Sequence, residues 1–188
     1  NWKLAGARMV IGTVAGSLGM WVPFAMQETG YLAPSVGAAI MAAAAVIGAL
    51  AALLAGLRWS SRVWLRRSLA IGLVLAGLCL GTAALLSNGL AAVLLVALVA
   101  VLLPGLLALS WVLAPFLLAG AAAAAGFAVL AMAGTLGNFL AGELDVFRHD
   151  ATTRSVVLAV ACFLAAWLAS SMDGRRMAGT TAPAAAGE

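Results

Sequence analysis

Apolar residues run through this chain in long continuous stretches rich in Ala, Leu and Gly, without the alternation that marks a half-buried strand. Charges and Pro/Gly clusters cut these stretches into six segments of membrane-spanning length. They lie near Leu4 to Met26, Val36 to Leu57, Ser68 to Leu86, Leu90 to Trp111, Ala121 to Leu140 and Thr152 to Met172. The pattern predicts helices, because a helix satisfies its own backbone groups where water is absent. The fourth boundary is the least marked. Residues 110–120 carry no charge and only Pro115 and Gly120 as breakers, which leaves a short interfacial helix as the alternative there. After Asp173 the chain turns polar, with Ala, Gly, Thr and Pro183, and is expected to be disordered. The predicted organisation is a six-helix transmembrane bundle over 1–172 and a tail over 173–188.

Composition excludes a soluble domain. Of 188 residues, 65% are apolar and 9% charged, against about 45–50% and about 25% in an ordinary soluble protein. No core of this length hides so much apolar surface, so lipid is the expected solvent. Cys79 and Cys162 fall in separate apolar runs and read as small packing residues. A start at Asn1 is compatible with a longer or processed parent chain.

Charge then orients the spans. With six crossings, Lys3, Arg8, Arg58, Arg62, Arg66, Arg67, Arg175 and Arg176 share one side, and Arg148 and Arg154 the other. Positive residues collect on the cytoplasmic side, which predicts that both termini are cytoplasmic. The net charge of +4 is thereby accounted for without a nucleic-acid partner. Gly12 and Gly16, and Gly77 and Gly81, stand four apart within spans, a spacing that lets helix backbones approach.

Candidate chemistry is sparse. The single histidine, His149, lies between Arg148 and Asp150 in a charged loop, and one histidine builds neither a multi-histidine metal site nor a paired haem site. No span carries an acid, base and nucleophile set, so neither an enzyme, a metal nor a cofactor is expected. Arg8 is the candidate charge within a span, about one turn from its cytoplasmic end. Its expected behaviour is snorkelling to the headgroups, and the alternative is an anchor for an anionic substrate. Ser17, Trp21, Thr135 and Asn138 are the polar or amphipathic positions within or near the ends of spans; helix-to-helix hydrogen bonding and a place on a substrate path are the two readings for Asn138.

The arginine cluster between the second and third segments has an internal order. Gly56-Leu57-Arg58-Trp59-Ser60-Ser61-Arg62-Val63-Trp64-Leu65-Arg66-Arg67 resembles the loop motif of the major facilitator superfamily, G-x-x-x-[SD]-D-R-x-G-x-R-R, keeping Gly56, Ser60, Arg62, Arg66 and Arg67. It departs at Ser61, where the family has aspartate, and at Trp64, where it has glycine. Ser17-Leu18-Gly19-Met20-Trp21-Val22-Pro23 is similar to the end of the seventh helix of the anion:cation symporters, a family within it that moves organic acids. Pro115-Phe116-Leu117-Leu118-Ala119-Gly120, the alanine run, and Gly134-Thr135-Leu136-Gly137-Asn138-Phe139 resemble its tenth-to-eleventh helix signature. Two asparagines of that signature fall on Ala131 and Thr135. The resemblance covers about Ser17 to Met172 and implies the C-terminal half of such a transporter.

Together these readings predict an all-α protein of the bacterial inner membrane, half of a major-facilitator-type bundle. In this role it moves a small organic anion by alternating access, paired with another six-helix chain. The loop motif would hold the cytoplasmic gate, and Ser17, Trp21, Thr135 and Asn138 would line the path. The missing polar groups at Ser61, Ala131 and Thr135 point to weakened, altered or absent transport. They support the alternative of a transporter-derived accessory subunit that docks on a larger membrane complex.

Overall fold

The computed structural model describes residues 2–28, 39, 42–43, 45–51, 53–54, 61–86, 90–118, 123–143 and 151–172, without the side chains of 20–28, 62, 90 and 151. Among these residues the chain is all helix. The helices are α1 (Trp2–Glu28), α2 (described continuously over 45–51), α3 (Arg62–Leu85), α4 (Leu90–Leu117), α5 (Ala123–Glu143) and α6 (Ala151–Ser170). Within α3 to α6, the stretches Val63–Leu85, Ala91–Leu117, Ala123–Glu143 and Thr152–Ser170 are long and apolar enough to cross a membrane. The predicted tail, 173–188, lies outside the described residues, as do Gly56 and Ser60.

Each helix buries one stripe at the spacing that an α-helix dictates. On α1 the stripe is Leu4, Ala7, Ile11, Val14 and Leu18; on α3 it is Leu65, Leu69, Leu73, Ala76 and Leu80; on α6 it is Leu158, Cys162, Ala165 and Ala169. Steps of three and four keep these side chains on one face. The opposite faces are apolar too. Ile71 and Leu78 on α3, Met132 and Phe139 on α5, and Leu164 and Trp167 on α6 are all exposed. A helix apolar on every side needs lipid or another protein around it.

Packing is most extensive between α1 and α5 and between α3 and α6, then between α3 and α4; α1 also packs on α6 and α4. The α1–α5 contact is backbone on backbone. A Cβ on Gly12 would lie 2.5 Å from the Gly134 carbonyl oxygen, and one on Gly137 would collide with the Met9 carbonyl oxygen. Gly16 faces Asn138 and Ala141, so residue numbers rise together and the two helices run parallel. The four-residue glycine spacing therefore serves close helix packing, as expected.

α4 continues to Leu117, past the predicted end at Trp111, with Pro104 and Pro115 inside it. An interfacial helix over 110–120 is not what forms, since 90–117 is one helix. Proline removes one backbone donor from the helix ladder but leaves the rest intact, and a neighbour supports the site. At Pro104 that neighbour is α2, where Gly48 meets the Val101 carbonyl and the Pro104 ring.

One end of the bundle is tied by charge. Lys3 Nζ donates to the Ser171 carbonyl, and Arg66 donates to the Met172 carbonyl. The starts of α1 and α3 and the end of α6 thus lie together, with two cations on the carbonyls at a helix C-terminus, where the macrodipole favours them. Arg66→Gln is expected to speed amide hydrogen exchange in the last turn of α6 and to cost about 1 kcal/mol. Arg67→Gln, at an exposed side chain, should change neither.

Candidate functional site

Two polar features stand out on the helices, one between them and one on an exposed face. The first centres on Arg8 of α1, which reaches across to α4. Its Nη1 donates to Ser110 Oγ at 3.0 Å and to the Leu107 carbonyl at 3.4 Å, both on α4. The guanidinium carbon stands 4.7 Å from the centroid of Trp111. Trp111 in turn stacks on Phe127 of α5, with centroids 6.3 Å apart and planes 13° from parallel. Arg8 Nε rests against Gly134, where a Cβ would come within 3.1 Å of it. A hydroxyl, a carbonyl and an indole face thus hold the guanidinium against α4.

The second feature is the face of α5. Leu130, Gly134, Gly137 and Ala141 are its buried row. Ala131, Thr135 and Asn138 form the next row round the helix and are exposed. Thr135 and Asn138 thus share a face, as a substrate path requires. Thr135 Oγ1, however, donates to the Ala131 carbonyl of its own helix at 3.1 Å, which ties up its proton. Asn138 lies beside Gly16 of α1, the residue before Ser17. Ser17 is itself buried. Trp21 is on α1, but its side chain lies outside the described residues.

Of the loop motif, Arg66 is half-buried on the end of α6, Arg67 is exposed, and Arg62 is described only as the first residue of α3. Ser61 is the N-cap of α3, with extended backbone at φ −75° and ψ 131°, and its side chain makes no capping hydrogen bond. Among the described residues no three His, Cys, Asp or Glu side chains gather as a metal site would require.

Sequence reasoning missed Ser110 and Trp111. Their signal was a polar and an amphipathic residue adjacent within the apolar run of α4, which is informative only once α1 is known to lie against it. Arg154, assigned with Arg148 to the side opposite the other cations, is only 3% exposed, in the first turn of α6 next to the buried Ser155. No family model, curated protein or solved structure matches this chain.

Proposed function

We propose that this chain is half of a major-facilitator-type transporter, with six spans and both termini in the cytoplasm of a bacterium. It moves a small organic anion across the inner membrane together with another six-helix unit. The observation that carries this reading is the pattern of helix packing. Exchanging α1, α2 and α3 for α4, α5 and α6 in order maps the packed pairs onto one another. The α1–α5 pair becomes α4–α2, the close approach at Gly48; α3–α4 becomes α6–α1; and α3–α6 and α1–α4 map onto themselves. Three spans per repeat is an odd number, so the second repeat enters the membrane from the opposite face. Such inverted three-helix repeats build each half of this transporter class, with substrate held between two halves near the midplane.

The exposed row Ala131, Thr135 and Asn138 on α5 is the face this reading turns toward the other half. Uptake into vesicles containing the complete assembly tests it. Saturable, gradient-dependent flux of an organic anion is expected, and its absence for every carboxylate tried sinks the proposal.

A second reading has its own support. The same row offers little hydrogen bonding, because Ala131 has no polar group and the Thr135 proton is held within the helix. A non-transporting subunit of a larger membrane complex needs no more than that. Native mass spectrometry from mild detergent separates the two. A partner with six further transporter-like helices supports transport, whereas recovery within a larger enzyme or energy-transducing assembly supports the accessory role.

A further inference from the structure

Among the described residues, no carboxylate lies against Arg8. Arg8 lies five residues beyond Lys3 on α1, about 7.5 Å deeper along the helix axis. Its partners, Ser110 Oγ and the Leu107 carbonyl, are both neutral, and its Nε is buried with no hydrogen-bond partner. The carboxylates among the described residues belong to Glu28 and Glu143. Glu28 is twenty residues further along α1, about 30 Å. Glu143 is nine residues beyond Gly134, the point at which α5 touches Arg8, about 13.5 Å. Neither reaches it. A cation in a low-dielectric interior is costly, and neutral acceptors recover only part of that cost.

We infer that Arg8 anchors an anion site between α1, α4 and α5, and that its occupant is a small soluble carboxylate. With Nη1 given to Ser110 and Leu107 and Nε buried, a carboxylate oxygen accepts from Nη2 and supplies the missing charge. Ser110 and Trp111 are positioning residues. Ser110 Oγ donates to the Leu107 carbonyl at 2.6 Å, which leaves its lone pair to receive Arg8. Trp111, backed by Phe127, supplies the face on which the guanidinium rests. Space for the rest of a small acid lies one turn away. A cleft of about 230 Å³ between α1 and α5 is lined by Leu4 and Ala5, which precede Arg8 by four and three residues, and by Leu118, Gly126 and Leu130. Its apolar walls suit the carbon body of an acid such as benzoate.

The role of this site as a substrate site rests on the transport reading, but the binding itself is measured without transport. The full chain, labelled with 15N-arginine in phosphatidylcholine nanodiscs, is titrated with sodium benzoate against sodium chloride. Binding is followed by calorimetry and by the Nε–H resonance of Arg8. Saturable binding that moves this resonance is expected. Arg8→Gln should weaken it roughly tenfold or more and Arg8→Lys by less, while Arg67→Gln should leave it unchanged. No saturable binding, or equal binding by Arg8→Gln, overturns the proposal. So does a resonance that responds to added phosphatidylglycerol and not to benzoate, since a lipid phosphate would then be the counterion. Should Arg8→Gln fail to fold, Arg8→Lys and the native resonance still decide. Flux by the complete assembly without benzoate binding at Arg8 sinks this site and leaves the transporter; binding without flux does the reverse.

Discussion

Replacing Gly137 by alanine is expected to force α1 away from α5 and to destabilise the bundle by about 3 kcal/mol, the upper part of the usual overpacking range. The added Cβ meets the Met9 carbonyl oxygen and lies 2.9 Å from the Thr13 backbone nitrogen. Both are backbone atoms, so no rotamer change relieves the contact and a whole helix has to move. Opposing this is the gain of about 1 kcal/mol that alanine brings to a helix interior in place of glycine. The clash outweighs that gain, and the net effect is therefore destabilising. Gly19→Ala is the matched comparison. Nothing lies within 4 Å of a Cβ there, so only the helix preference of alanine acts, and stability should rise by up to about 1 kcal/mol. Unfolding in mixed micelles with increasing SDS measures both. Gly12→Ala strains the same interface, so the double variant with Gly137→Ala should cost less than the two single costs together. A Gly137→Ala protein as stable as the parent would mean that α1 and α5 do not meet in this way.

Elements whose apolar runs are bounded by charge are legible in the sequence. α3 opens on three of the four clustered arginines, and α6 follows a run of charged residues; the apolar pattern locates both within a few residues, apart from the arginine-bearing first turn and a half of α3. The same pattern cuts α4 short because local chemistry treats Pro115 as a stop, whereas in a packed bundle one missing donor costs too little to end a helix. The glycine spacing indicates the kind of contact but not its partner. Nothing in the order of residues says that Gly12 faces Gly134 while Gly77 faces Ala159 and Cys162 of α6. The candidate site is half legible for the same reason. Thr135 and Asn138 stand out because they are polar in an apolar run. The surroundings of Arg8 do not, because Ser110 and Trp111 stand about a hundred residues away and tertiary packing alone brings them to α1.

Restoring Ser61→Asp, Ala131→Asn and Thr135→Asn together is expected to raise uptake of an organic anion by the complete assembly roughly tenfold, the equivalent of about 1.4 kcal/mol gained by the bound anion. The three changes act at different places. At Ser61 the backbone already has the extended geometry of an N-cap, but the side chain makes no capping bond. An aspartate there would accept from the free amides of the first turn and meet the positive end of the α3 dipole, stabilising that end by about 1 kcal/mol. Arg66 remains on the Met172 carbonyl, one turn further along α3. Asparagines at 131 and 135 extend Asn138 into a row of amides along the exposed face of α5. Their donors are free for a carboxylate, unlike the hydroxyl of Thr135, which is bound to its own helix. If that face instead meets lipid or an apolar partner, each amide enters an apolar surface without a hydrogen-bond partner and costs about 1–3 kcal/mol. Assembly then weakens and no flux appears. Co-purification measured beside uptake therefore distinguishes a transporter with a weakened path from a subunit whose exposed face serves docking.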